Sequence, residues 1–373
     1  MAMNRRRALA TGLGVACASL VRLHGQTKGS GELDQARSLF DFEALAVKKI
    51  SPPVWARVQG ASADELTLKW NHEAYERIRL RPRVLIDVSK VDTRVKLLGL
   101  DLPFPIVLSP TGFQSAVYPD GDLASAQGAG AAKAVLVISS SASKSVDEVA
   151  KAATGPVWFQ LYVQRDRGFT KALVQRAEAA GCRGLAVTVD SPTFGARNHE
   201  QSVQGAMPPR PLPNLQGADY LDPTLSWKDI DWLRSFAKVP VLLKGILNPD
   251  DADIAVKAGV SGIMVSNHGA RNLDTVPATI DALPHIAEKV SGRVPLIVDG
   301  GIRRGTDVIK ALALGATAVG IGRPYLYGLG IGGAEGVTRV VDVLRREFEM
   351  TMMLTGRPTL ASIDRSVLWP KEW

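Results

Sequence analysis

The sequence predicts an α/β protein, a (β/α)8 TIM barrel with an N-terminal helical extension. Three observations predict it. Eight short apolar, β-branched runs recur between residues 104 and 324. Ala-rich segments of helical spacing lie between most of them. The runs are apolar throughout instead of alternating, which is how parallel strands read when helices cover both faces of the sheet. An open doubly wound sheet would share that pattern, but no GxGxxG opens the first unit. Residues 31–373 are therefore expected to form one barrel domain, and residues 1–30 an export signal and linker.

Taken in order, "NRRRALATGLGVACASL" (4–20) is a basic cluster, a short apolar stretch and the small triplet Ala16-Cys17-Ala18. That is the layout of a cleavable export signal, with an apolar run too short to span a bilayer. Arg5, Arg6 and Arg7 resemble a twin-arginine signal, which predicts a periplasmic protein; a disordered basic terminus on a cytoplasmic protein is the alternative. Helical spacing follows in "LDQARSLFDFEALAVKKI" (33–50) and "SADELTLKWNHEAYERI" (62–78), where Ser62 and Glu65 are spaced as a capping box. The eight strand runs are "FPIVLSPTG" (104–112), "AVLVISSS" (134–141), "VWFQLYV" (157–163), "GLAVTVD" (184–190), "VPVLLKG" (239–245), "GIMVSNHG" (262–269), "VPLIVDGG" (294–301) and "AVGIGRP" (318–324). Helical segments between them include residues 122–134, 145–153, 168–181, 248–259, 279–290 and 305–315. Residues 201–222, rich in Pro and Gly, read as a long loop over the barrel mouth.

Composition narrows the function. The 373 residues are 46% hydrophobic and 22% charged, which is ordinary for a globular protein. A net charge of +8 favours anionic ligands, but no Lys/Arg run interleaved with aromatics suggests nucleic acid. The two cysteines, Cys17 and Cys182, are far apart and form no CxxC, so neither a disulfide framework nor a zinc site is expected.

In a (β/α)8 barrel, chemistry gathers where the loops leave the carboxyl ends of the strands. Polar residues cluster at those ends: Ser109 and Thr111; Ser139 and Ser140; Gln160 and Tyr162; Thr188 and Asp190; Lys244; Ser266 and His268; Asp299; Arg323. Each alone could be a strand end meeting solvent. The last two loops, "DGGIRRGTDV" (299–308) and "GIGRP" (320–324), place Gly300, Gly301, Gly322, Arg303 and Arg323 where barrels hold phosphate. Glycines admit backbone N–H groups to an anion, and arginine adds charge-assisted donors. Lys244, at the end of "PVLLKG", would aim a fixed cation into the mouth.

The runs "SNHGARNLD" (266–274), "AVTVDSP" (186–192), "FQLYV" (159–163), "LLKG" (242–245), "DGGIRRGTDVIKALALGA" (299–316) and "IGRP" (321–324), in their order along the chain, resemble the FMN-dependent 2-hydroxy-acid oxidases and dehydrogenases. The resemblance runs from about residue 38 to about residue 367. It implies FMN as cofactor and oxidation of a (2S)-2-hydroxy acid to a 2-oxo acid. It implies that His268 is the base and that Arg271 grips the substrate carboxylate. Asp190 would orient His268, while Tyr162 and Arg197 act near the substrate, and Lys244 lies beside the flavin. Pro110, Thr111, Gly112, Ser139, Gln160, Thr188 and Ser266 would contact the flavin. Asp299, Gly300, Gly301, Arg303, Gly322 and Arg323 would hold its ribityl phosphate. It also implies a homotetramer, and electrons passing to oxygen or a separate acceptor.

Three positions depart from the family pattern. Arg57 or a neighbour stands where relatives carry a tyrosine that helps hold the carboxylate; it is either a pocket residue or an exposed helical one. Ser141 stands where glycolate oxidases have tryptophan, which is expected to leave room for a substrate larger than glycolate. Gly112 stands where many relatives have alanine, near the flavin face, so oxidase, monooxygenase and dehydrogenase behaviour stay open. The alternatives to a hydroxy-acid enzyme are an FMN barrel with isomerase or other non-redox activity, and an inactive exported binding protein.

Overall fold

The computed structural model describes residue 31, residues 33–217 and residues 220–370. The expected export signal lies outside these residues. Eight parallel strands close into a barrel: β1 (Ile106–Leu108), β2 (Val135–Ser139), β3 (Val157–Leu161), β4 (Leu185–Thr188), β5 (Val241–Ile246), β6 (Gly262–Val265), β7 (Leu296–Asp299) and β8 (Ala318–Ile321). Each pairs with its sequence neighbours, and β8 closes on β1 through Gly320 and Val107. All eight are buried, or nearly so, on both faces, which is why their sequences do not alternate.

Inward side chains fill the barrel as a packed core. Val107, Val135, Trp158, Ala186, Leu242, Met264, Ile297 and Ala318 share one buried cluster with Leu97 and Leu102 of a short hairpin, Val95–Leu97 paired with Leu100–Leu102. The predicted helices form around it, including Gly121–Ala131, Val146–Ala152, Arg167–Ala179, Pro249–Lys257, Thr279–Val290 and Gly305–Ala313. Sequence periodicity left Trp227–Phe236 and the long segment Arg323–Thr355 unassigned. The latter is interrupted at Gly332 and Gly333, where the backbone leaves the helical region.

Among the described residues, three α-helices precede the barrel: α1 (Leu39–Ala46), α2 (Pro52–Gln59) and α3 (Leu66–Arg77). The capping box expected of Ser62 and Glu65 does not form. Glu65 itself is the cap residue, in the left-handed region, and its carboxylate accepts from Ala61 N at 2.8 Å. Ser62 Oγ instead donates to Asn272 O at 2.9 Å. The free N–H groups at the start of α3 are satisfied from the loop after β6, by Asp274. Its carboxylate accepts from Thr67 N at 2.8 Å, Asp64 N at 3.1 Å and Leu66 N at 3.2 Å. The last residue of "SNHGARNLD" thus fastens the N-terminal extension to the loop after β6.

Candidate active site

The strand ends surround a cavity of ≈ 380 Å³, within the range of small-molecule sites. His268 follows β6 in a tight turn, His268–Ala270, with His268, Gly269 and Ala270 all at positive φ. A non-glycine residue there costs of order 1–3 kcal/mol, so the surroundings must hold it. They do so from both sides. Ser266 Oγ accepts from His268 N at 3.1 Å, and Asn267 Oδ1 accepts from Ala270 N at 3.1 Å. Asn267 in turn is gripped by Asn71 of α3, Nδ2 to Oδ1 in each direction at 2.8 and 3.1 Å.

The His268 ring is oriented at Nδ1. Asp190 Oδ1 lies 3.0 Å from it, with Asn272 Nδ2 at 2.9 Å and Ser191 Oγ at 3.4 Å. An N–H at Nδ1 donating to Asp190 leaves the lone pair on Nε2, which faces the cavity with the Tyr162 hydroxyl 3.4 Å away. Asp190 is brought this close by a bulge in β5. Pairing with β6 slips between Lys244 and Ile246, and Gly245 takes φ +108°. A Cβ at Gly245 would stand 2.4 Å from Asp190 Cγ, so only glycine fits. Burial lowers the His268 pKa, and Lys244 and Arg271 add to the shift against the opposing pull of Asp190. Asp190 stays below the ordinary carboxylate value: burial would raise it, but His268 and Lys244 together outweigh that.

Arg271 lines the same cavity. Its Nη1 donates to Arg57 O and Gly60 O, both at 2.7 Å, and its Nη2 lies 3.5 Å from Glu200 Oε2. Arg197 lines the cavity as well and donates to Arg271 O. Arg57 is a cavity residue rather than an exposed helical one. Its guanidinium pairs with Glu200 Oε1 at 2.5 Å and sits 5.0 Å over the Phe113 ring. Glu200, Asn272, Asn71 and Asp274 were not singled out from the sequence. Only Asn272 and Asp274 carried a signal, since both belong to the quoted motif.

The other half of the cavity suits a flavin and its phosphate. Gln160, Ser139 and Thr188 form one chain across β2, β3 and β4. Gln160 Nε2 donates to Thr188 Oγ1 at 2.9 Å, and Ser139 Oγ donates to Gln160 Oε1 at 3.2 Å. Lys244 is buried, and among the described residues its ammonium has no hydrogen-bond or salt-bridge partner. Asp299 Oδ2 accepts from Ser109 Oγ at 3.2 Å, while the buried Oδ1 has no partner. A buried acceptor of this kind fits a ribityl hydroxyl. Gly300 and Gly301 hold φ +97° and +85°, and at Gly322 a Cβ would meet nothing closer than 3.7 Å. Arg323 donates to Val58 O and Gly60 O, and Arg303 lies over the Tyr327 ring with its Nε 3.9 Å from Glu43 Oε2 and without a hydrogen-bond partner. His72 of α3, missed in the sequence, joins this end; burial and the charges of Arg303, Arg323 and Arg304 lower its pKa to about 3. These residues fit FMN. Pro110 and Thr111 line the cavity too, and Ser266, buried just after β6, accepts at Oγ from His268 N.

The departures take a different shape from the sequence expectation. Ser141 does not simply leave a gap. Tyr220, from the loop over the mouth, brings its hydroxyl to 3.2 Å from Ser141 Oγ and packs its ring on Tyr162 and Phe194. Gly112 is backed by Ser141, where an added Cβ would come within 2.7 Å of Ser141 Cβ. The loop itself is anchored: Asn214 is buried, accepts from Val146 N at 2.8 Å and donates to Lys144 O at 3.0 Å.

Fold and site together define a flavin-dependent barrel oxidoreductase. Residues 46–370 match the family described as FMN-dependent dehydrogenase, and the chain belongs to it. It is 42% identical over 356 residues to glycolate oxidase 1 of Oryza sativa subsp. indica, covering 90% of this chain and 96% of that protein. A flavocytochrome b2 double mutant with pyruvate bound superposes with a TM-score of 0.85 at 38% identity, over 90% of this chain and 87% of that one. Mandelate oxidase with (S)-2-phenylpropionate superposes with a TM-score of 0.85 at 36% identity, over 90% and 98%. The protein is an FMN-dependent enzyme of the class that oxidises 2-hydroxy acids to 2-oxo acids.

Proposed function

We propose that the substrate is a (2S)-2-hydroxy acid larger than glycolate, held by Arg271 and Arg197 with its hydroxyl toward His268 Nε2. The observation that carries this reading is the tethered imidazole. Asp190 fixes Nδ1, Nε2 opens on the cavity, and the fixed cation of Arg271 lines the same wall. Because the His268 pKa is lowered, the ring is neutral at pH 7 and ready to accept a proton. When it does, the Asp190 carboxylate stabilises the imidazolium. Tyr162, its phenol pKa raised by burial, stays protonated and can donate to the substrate oxygen. A guanidinium matches a carboxylate with two parallel N–H donors, which sets the orientation of the substrate carbon. FMN would supply the two-electron acceptor in this cavity, and Lys244, which lines it, would supply a positive charge beside the flavin.

Electrons would then pass to oxygen or a separate acceptor. A homotetramer and twin-arginine export complete the proposal. Light scattering and the N-terminal sequence of periplasmic protein test these. The test of the reaction is an anaerobic spectrum. Yellow protein should bleach with a 2-hydroxy acid and release the 2-oxo acid; protein that binds FMN but never bleaches would refute it. Reduction rates with glycolate, lactate, mandelate and longer acids test the size preference, which a clear preference for glycolate would overturn.

A further inference from the structure

The mouth of the cavity holds more positive charge than one carboxylate can answer. Four guanidiniums line it: Arg57, Arg197, Arg210 and Arg271. Among the described residues, the one carboxylate that pairs with any of them is Glu200, shared by Arg57 and Arg271. Arg197 donates through Nη1 to the carbonyl of Arg271 and belongs with it to the end that takes the first carboxylate. Arg210, from the anchored loop, has no hydrogen-bond or salt-bridge partner among the described residues. It is exposed, yet it borders the cavity at its rim, and its charge acts on the Tyr162 phenol. The packed rings of Tyr162, Phe194 and Tyr220 line the same cavity as Arg210, an apolar wall suited to a short carbon chain.

Resting on the hydroxy-acid reading above, we infer that the substrate carries a second carboxylate, at the far end of its chain, received by Arg210. The first carboxylate answers Arg271. Arg57 is already answered by Glu200, so Arg210 is the cation left for the second. An ion pair at a rim that is partly open to solvent gives modest affinity but real discrimination, because an uncharged chain end leaves the cation unanswered.

The test compares (S)-2-hydroxyglutarate with (S)-2-hydroxyhexanoate, of similar length, in anaerobic flavin reduction by the FMN-loaded protein. The expected result is a preference for the dicarboxylate of about fivefold or more in reduction rate over dissociation constant, the scale of one partly screened pair. The preference should shrink in high salt. Arg210→Gln should abolish it while changing the rate with (S)-2-hydroxyhexanoate by less than about twofold, and Arg210→Lys should restore part of it. Equal rates for the two acids in the native protein, or equal losses for both in Arg210→Gln, would overturn the inference and leave hydroxy-acid oxidation standing. Failure of both acids, and of lactate, to bleach the flavin would overturn the reaction itself.

Discussion

The two ends of the cavity are built in different ways. The phosphate end is made by the barrel's own strands: Asp299 closes β7, Gly300, Gly301 and Arg303 follow it, and Gly322 and Arg323 follow β8. Their positions are set by backbone geometry within a few residues of a strand. The mouth is assembled from distant pieces: Arg57 on α2, Arg197 and Glu200 after β4, Arg210 and Tyr220 on the long loop, Arg271 after β6. The difference teaches that cofactor binding is written locally and substrate choice is written in long-range contacts. Changes at the strand turns should therefore affect FMN retention, and changes at the mouth should affect substrates with FMN retained.

The largest break in that comparison should come at Asp190, which belongs to the reacting end. Asp190→Asn should slow flavin reduction by about 10²–10⁴-fold with FMN content unchanged, because the imidazole loses its orienting charge. Stopped-flow reduction and the bound-flavin spectrum measure both. Next comes Gly301→Ala. With φ +85° and an added Cβ 1.9 Å from Asn71 O, it should cost more than about 1 kcal/mol of stability and weaken FMN binding, read by flavin fluorescence on dilution. Arg271→Lys should raise the substrate dissociation constant about tenfold or more, since an ammonium cannot grip a carboxylate with two parallel donors.

The pH profile sharpens the same point. Protonating His268 removes the base, so reduction should fall as pH drops through its pKa. That pKa lies below the ordinary 6.5, so the acid limb should have its midpoint below pH 6.5. Removing the Asp190 charge removes a partner of the imidazolium, so in Asp190→Asn the acid limb should move to still lower pH. The smallest effect is expected at Glu200→Gln. Arg57 and Arg271 lose their shared counter-charge at a half-buried site, which should change substrate affinity by about two- to fivefold and leave FMN bound.

What the sequence revealed follows the same division. The eight strands, their order and the polar strand ends were legible because each is a local pattern, and His268, Arg271 and Lys244 stand within one motif or at one strand terminus. The cap of α3 was not legible: Ser62 and Glu65 had the local spacing, yet Asp274, more than 200 residues away, does the work. Glu200 and Tyr220 lie in a Pro/Gly-rich stretch or at its edge, without periodicity, where nothing in the chain announces a partner on α2 or beside Ser141. Ser266 was legible as a polar strand end, but its grip on the His268 turn, Oγ accepting from His268 N, was not.

The most direct measurement is anaerobic stopped-flow reduction of native and His268→Gln protein, both loaded with FMN, by a saturating 2-hydroxy acid. If a neutral imidazole held by Asp190 removes the proton, the variant should keep its flavin and its substrate affinity within about threefold, and lose about 10²–10⁴ in reduction rate. A variant that reduces its flavin at the native rate would contradict the account.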